Sequence, residues 1–170
     1  PTGIYLIDQH AAHERVMFEQ VTWRAQQYQP IIQGLLEPIM VELAPEQIQA
    51  LENWKETLGR YGFQGEWFGE NIYLLRGVPN GLHGINHEQL LGESLSLLEQ
   101  ASDPGHAGYS LAASIACHSA IRAGDTLAHE EMVGLIRQLE AVDSPQTCPH
   151  GRPTMLHLSS STLERHFGRT

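Results

Sequence analysis

The sequence predicts an α+β fold of two lobes, on three observations. It opens on an apolar run, Gly3–Ile7, that turns at Asp8 into a helical pattern. A mixed middle of helix and hairpin candidates follows. After two further helical stretches the chain returns to a strand candidate, "TMLHLS", and a short last helix. Strand, helix, mixed middle, helices, strand is an order that suits an α+β domain with the middle inserted as its own lobe.

Each element has a local reason. "GIYLI" is partly β-branched and continuously apolar, which reads as a buried strand. From His10 the apolar positions Val16, Met17 and Val21 fall on one side of a helix that "YQP" stops near Pro30. "IMVEL" is a second strand candidate. "APEQIQALENWKETLGRYG" has proline near its start, helical apolar spacing and a glycine stop. "FQGEWFG" and "NIYLLRGVP" flank the turn-like "GEN" and form a hairpin candidate. "NHEQLLGESLSLLEQ" begins at an Asn cap candidate and is broken by "DPGHAG". "YSLAASIACHSAIRAGD" is a small-residue helix, apolar around most of its circumference and so expected inside. "AHEEMVGLIRQLEAV" is amphipathic, and "STLERHFG" is a short helix capped by Ser or Thr.

Composition narrows the function. The 170 residues are 41% hydrophobic, enough to bury a core. No run of about 18 apolar residues exists, which removes a membrane-spanning helix. The proline start and the absence of a basic n-region read as a fragment of a longer protein. The formal charge is -10, with Lys55 the lone lysine, so the fragment is expected to bind duplex DNA weakly by itself, since such binding rests on Lys and Arg at phosphates. Two distant cysteines, Cys117 and Cys148, are too few for a disulfide framework and fit a reducing cytoplasm, with thiols free for a metal.

Three clusters carry chemistry. Asp8, His10, His13 and Glu14 crowd the strand-to-helix junction, where His10 and Glu14, four residues apart, share a helix face with His13 beside them. That face can hold a metal; the alternative is that Asp8 caps the helix and the others are surface polar groups. "CPHGRP" bounds Cys148 and His150 with prolines in a rigid turn, so thiolate and imidazole can point at one ion. The alternative is a tight turn whose Arg152 makes an ion pair. Cys117, within "SIACHSAIRAG", reads by itself as a small core residue. Strand "TMLHLS" paired beside "GIYLI" brings the first two clusters together. If Cys117 converges with them, the full set of Asp, His, Glu, Cys, Cys and His suffices for two cations, zinc on the soft side and manganese on the oxygen-rich side.

"DQHAAHERVMFE", Asp8 to Glu19, resembles the endonuclease motif of the MutL family of DNA mismatch repair proteins: DQHA, two residues, Glu, four residues, Glu. "ACHSAIRAGD" resembles a second family motif and "CPHGRP" a third, and the three stand in family order. The chain is therefore identified as resembling the family's C-terminal domain. The resemblance implies a nicking site lined by Asp8, His10, Glu14, Cys117, Cys148 and His150. Asp8 and Glu14 would be catalytic, all six would be metal ligands, and Glu19 and Arg152 would support them. It implies zinc, with manganese or magnesium for catalysis. It also implies a dimerisation lobe of residues 1–42 and 117–170 and a regulatory lobe of residues 43–116.

"QGLLEP", through Gln33, Leu35, Leu36 and Pro38, resembles the segment by which the family docks on the replication sliding clamp; the alternative is an ordinary loop leading into a strand. The tail "HFGRT" is similar to a family ending of Phe, any residue, Arg. The implied partners are a second copy in a homodimer, duplex DNA, the clamp and, through the rest of the protein, a mismatch-recognition protein. The implied location is the bacterial cytoplasm at the nucleoid. The competing expectation is a non-catalytic dimerisation and clamp-interaction module with a structural zinc, which has no need of Asp8.

Overall fold

The computed structural model describes residues 3–82, 84–122 and 124–168. Among these, five strands and six helices follow the order β1 (Gly3–Ile7), α1 (Gln9–Gln26), β2 (Ile32–Glu42), α2 (Pro45–Arg60), β3 (Gln64–Trp67), β4 (Ile72–Pro79), α3 (His87–Glu99), α4 (Pro104–Ser119), α5 (His129–Glu140), β5 (Met155–Ser159) and α6 (Ser160–His166). The fold is α+β, as the sequence predicts. The chain divides into two compact units, with the breaks between Met17 and Phe18, inside α1, and between Ser119 and Ala120. No helix of the described residues is long and apolar enough to cross a membrane.

The first unit is built on the antiparallel pair of β1 and β5, in the register Ile4↔Leu158, Leu6↔Leu156 and Ile7↔Met155. Alternation along a strand puts Ile7 and Met155 on one face. There they pack against a cluster of Ala12 and Val16 from α1 and Leu135 and Leu139 from α5. The start of α5 is secured by Glu131, whose carboxylate reaches back to accept the N–H of Ala128 at 2.7 Å. The opposite face of the ribbon carries Ile4, Leu6 and Leu156, each about half exposed at 49%, 52% and 56%. The expectation of a buried first strand is thus corrected: an apolar run reports a face that wants covering, and this chain alone covers only one side of it.

The second unit holds an antiparallel sheet in the order β2-β4-β3. Val41, Tyr73 and Trp67 face one another across its three strands. The helices layer α2 on α3 and α3 on α4. Leu51 and Leu58 of α2, Leu90, Leu91, Leu95 and Leu98 of α3, and Leu111 and Ile115 of α4 are all buried. Each fully buried leucine contributes about 1.5–3 kcal/mol relative to exposure. The Asn86 cap of α3 forms as read, its side chain accepting the Glu88 N–H at 2.8 Å.

Two boundaries differ from the sequence reading. "DPGHAG" ends α3 but also starts α4: Pro104 occupies the first turn, where no N–H is required, and Asp103 accepts the His106 N–H at 3.0 Å. At its other end α4 stops at Ser119 instead of running on to Asp125. The Ile121 N–H that a longer helix would need is bonded to His13.

The strand candidate "IMVEL" is the second half of a longer β2 that also takes in "QGLLEP". Pairing with β4 runs Ile32↔Pro79 to Gly34↔Gly77, then resumes at Ile39↔Leu75. Four residues, Leu35 to Pro38, therefore stand opposite Arg76 alone and bulge from the ladder. Pro38, lacking an N–H, has no ladder bond to lose there.

Candidate metal centre

The candidate site lies in the first unit, where the start of α1 meets the turn between α5 and β5. Asp8 ends β1, and its backbone N–H donates to the Thr154 carbonyl at 2.9 Å. Its Oδ1 accepts the N–H groups of His10 at 2.9 Å and Ala11 at 3.1 Å. Asp8 is thus the N-cap of α1, with its side chain otherwise exposed.

The "CPHGRP" segment is held by a dense set of backbone bonds. Thr154, fully buried, binds the Pro145 carbonyl through its hydroxyl and the Gln146 carbonyl through its N–H. The Cys148 N–H donates to Arg152 O at 2.8 Å, and the Gly151 N–H to Cys148 O at 2.9 Å. Gly151 has φ 81°, a left-handed conformation that favours glycine. Arg15, only 8% exposed, donates from Nε to the Thr147 carbonyl at 2.6 Å and so ties this turn to α1.

One atom each from Glu14, Cys148 and His150 lies within 4.8 Å of the others. Glu14 is 1% exposed and Cys148 is buried, while His150 stands at the rim. The Glu14 carboxylate approaches two imidazoles, with Oε1 3.3 Å from His10 Nε2 and Oε2 3.5 Å from His150 Nδ1. Neither oxygen makes a hydrogen bond among the described residues. The short distances do not make hydrogen bonds, because ring N–H direction decides whether such a contact bonds.

His10 sharpens the point. Its Nδ1 is 2.8 Å from the Ile121 carbonyl oxygen, which can only accept, so Nδ1 carries the proton. In the neutral ring Nε2 then presents a lone pair to a carboxylate oxygen. Two acceptors facing each other at the end of a buried carboxylate are satisfied by a cation or a proton. A thiolate, an imidazole and a carboxylate are donor types that zinc takes, and His10 adjoins the set through Glu14. The residues fit the ion that the sequence reading implies.

The other expected residues have other surroundings. Asp8 is not one of the three close donors, and its visible role is the cap. Cys117 belongs to the second unit and is exposed on α4, so it is not the core thiol that its neighbours suggest. Glu19 lies further along α1, half-buried, also in the second unit. Arg152 is exposed and forms an ion pair with neither Glu14 nor Asp8. His13 accepts the Ile121 N–H at 2.9 Å. Gln33, Leu36 and Pro38 are exposed, Leu35 half-buried, and Leu36 fully so exposed at 104%. Phe167 is exposed, whereas Arg169 and Thr170 of the tail lie outside the described residues. Sequence reasoning missed Arg15. Its signal is a cation at the i+3 and i+4 positions of Ala12 and Ala11, on the helix stripe that both bury.

An α+β domain that gathers a carboxylate, a thiol and an imidazole at a strand-to-helix junction offers the donor types of a transition-metal site. Comparison with known proteins identifies the family. Residues 1–127 match the family described as MutL C terminal dimerisation domain. Proteins named DNA mismatch repair protein MutL are similar along nearly the whole chain. That of Symbiobacterium thermophilum is 41% identical over 99% of this chain, that of Desulforudis audaxviator 40% over 98%, and that of Koribacter versatilis 38% over 98%. The chain belongs to the MutL C-terminal dimerisation domain family. It spans 28%, 30% and 26% of the length of those three relatives.

Proposed function

We propose that this chain is the homodimerising, metal-dependent nicking endonuclease region of a mismatch repair protein. The observation that carries the reading is the buried Glu14 carboxylate, without a hydrogen bond, beside Cys148, His150 and His10. A divalent ion held by these residues, zinc with manganese or magnesium beside it, would supply an acidified water and neutralise charge on the scissile phosphate. Glu14, Cys148, His150 and His10 bind and orient. Asp8 brings a negative charge to the junction, and Arg152, exposed at the rim, is free to meet a DNA phosphate. The products are a 3′ and a 5′ end on one strand, with water added across one phosphodiester bond.

Partners follow from the surface. The Ile4, Leu6 and Leu156 face is a continuous aliphatic patch suited to the same patch of a second copy, so the first unit serves dimerisation and the second regulation. Leu36 in the β2 bulge is presented outward as an anchor for the sliding clamp, flanked by Gln33, Leu35 and Pro38. With a charge of -10 the domain binds duplex DNA weakly and relies on delivery by the clamp, a mismatch-recognition protein and the rest of its own chain, in the cytoplasm at the nucleoid.

A non-catalytic dimerisation module with structural zinc is the second reading, and the capping role of Asp8 favours it. Asp8→Asn separates the two, because Asn caps a helix as well as Asp does but removes the charge. On supercoiled plasmid with manganese and a sliding clamp, Asp8→Asn should lose more than the roughly 10–100-fold typical of outer-shell partners. Folding, dimerisation and zinc content should stay as in the parent. Equal nicking by both proteins, or none by the parent with zinc bound, favours the structural module.

A further inference from the structure

Two imidazoles of α1 hold one residue by both of its backbone polar groups. The Ile121 carbonyl accepts from His10 Nδ1 at 2.8 Å, and the Ile121 N–H donates to His13 Nδ1 at 2.9 Å. Three residues apart, His10 and His13 are neighbours on the helix surface, so both can reach a single residue of a passing strand of chain. Gln9 adds a third hold, its amide donating to the Asp125 carbonyl at 2.7 Å. Asp125 in turn accepts the Arg122 N–H at 3.1 Å, which closes the turn after Ile121.

The two rings use Nδ1 in opposite senses. His10 donates from Nδ1, which leaves Nε2 as the nitrogen that faces Glu14 Oε1 at 3.3 Å. His13 accepts at Nδ1, so that nitrogen carries no proton. A His ring can otherwise turn about χ2, whose wells are broad, and offer either nitrogen or carbon to Glu14. What selects the ring pose is the Ile121 carbonyl; the His13 bond to the Ile121 N–H holds the residue from the preceding peptide plane, and the Asp125 bond to the Arg122 N–H holds the plane of that carbonyl itself.

We propose that His13 is a positioning residue for the metal centre: by accepting the Ile121 N–H it anchors Ile121 at the place where the following carbonyl receives His10 Nδ1–H and His10 Nε2 is turned toward Glu14. The inference rests on the metal-centre reading given under Proposed function. In this scheme His13 acts on the site through Ile121 and His10.

The test uses the chain with His13→Asn, His13→Gln and His13→Ala, each checked for folding by circular dichroism, and titrates Co2+ as a spectroscopic probe. Asn carries its amide oxygen where His carries Nδ1, whereas Gln carries it one bond further out. His13→Ala and His13→Gln should weaken Co2+ binding by about 10–100-fold and change its visible spectrum, as loss of an outer-shell partner does, while His13→Asn stays near the parent. Equal affinities and spectra in all four proteins overturn the proposal, as does equal loss in His13→Asn and His13→Ala. A parent that binds no Co2+ overturns the metal-centre reading instead, and the proposal is then decided in metal-free protein by the ring 15N spectrum of His10. A proton that leaves Nδ1 in His13→Ala but stays in His13→Asn supports it, and an unchanged ring in both overturns it.

Discussion

The two units treat burial in opposite ways. In the second, what is buried is almost all apolar; of its two buried serines, Ser94 turns its hydroxyl to the Leu90 carbonyl at 2.8 Å within its own helix, and Ser119 closes α4. In the first, Glu14 and Arg15 are inside while Ile4, Leu6 and Leu156 lie half outside. A self-sufficient fold does the reverse. The second unit is organised around its leucines. The first leaves a buried carboxylate without a hydrogen bond among the described residues and an apolar ribbon face half exposed.

The contrast can be broken most forcefully from the leucine side. Leu95→Ala, at a fully buried position of α3, should cost about 2–5 kcal/mol in urea denaturation. A loss under about 1 kcal/mol, a surface-like value, would mean that the second unit is not tightly packed. On the ribbon the expectation inverts. Leu6→Glu, at a half-exposed position, should leave monomer stability within about 0.5 kcal/mol. It should nevertheless weaken self-association by about tenfold or more in sedimentation, since about 1.4 kcal/mol of lost apolar contact is a factor of ten. An unchanged association constant would move the dimer contact elsewhere.

The smallest effect concerns an ion pair of the second unit. Glu93 accepts from Gln89 at 2.8 Å and lies 3.0 Å from His118 Nε2. The Gln89 hydrogen bond first, and His118 after it, hold the Glu93 carboxyl below its ordinary range. A lowered folded value means that the carboxylate stabilises the fold above the ordinary carboxylate pKa, and that this contribution fades as pH falls through the lowered one. Because the group is 41% exposed, Glu93→Gln should change stability at neutral pH by no more than about 0.5 kcal/mol. The difference from the parent should vanish in acid, as read by denaturant midpoints across pH.

Much of this was legible in the sequence, and what was not has physical causes. The strands β1 and β5, the Asn86 cap and the hairpin of β3 and β4 follow from local patterns and local turn chemistry. The approach of "DQHAAHE" to "CPHG" followed from pairing "GIYLI" with "TMLHLS". The end of α4 was not legible, because the Ile121 N–H goes to a histidine 108 residues away in sequence. Nor was the bulge at Leu35 to Pro38, which depends on the register with β4 and not on the segment itself. Exposure of β1 escaped the pattern for a related reason: an apolar run does not say whether its cover comes from the same chain. Arg15 was hidden beside Glu14, since a cation next to a carboxylate in a helix reads as surface until the Thr147 carbonyl comes into place.

Metal-dependent stability tests most directly whether Glu14 is buried for a cation. Denaturant unfolding of the parent and of Glu14→Met is compared with chelator and with zinc. Without metal, Glu14→Met should be as stable as the parent or more so, by up to about 1–4 kcal/mol, because an apolar side chain replaces a buried carboxylate that lacks a hydrogen bond. With zinc at about 100 times its dissociation constant the parent should gain roughly 2.7 kcal/mol and the variant much less. A parent indifferent to zinc, together with a Glu14→Met chain less stable than it in chelator, would contradict the account: Glu14 would then be an ordinary stabilising part of the core.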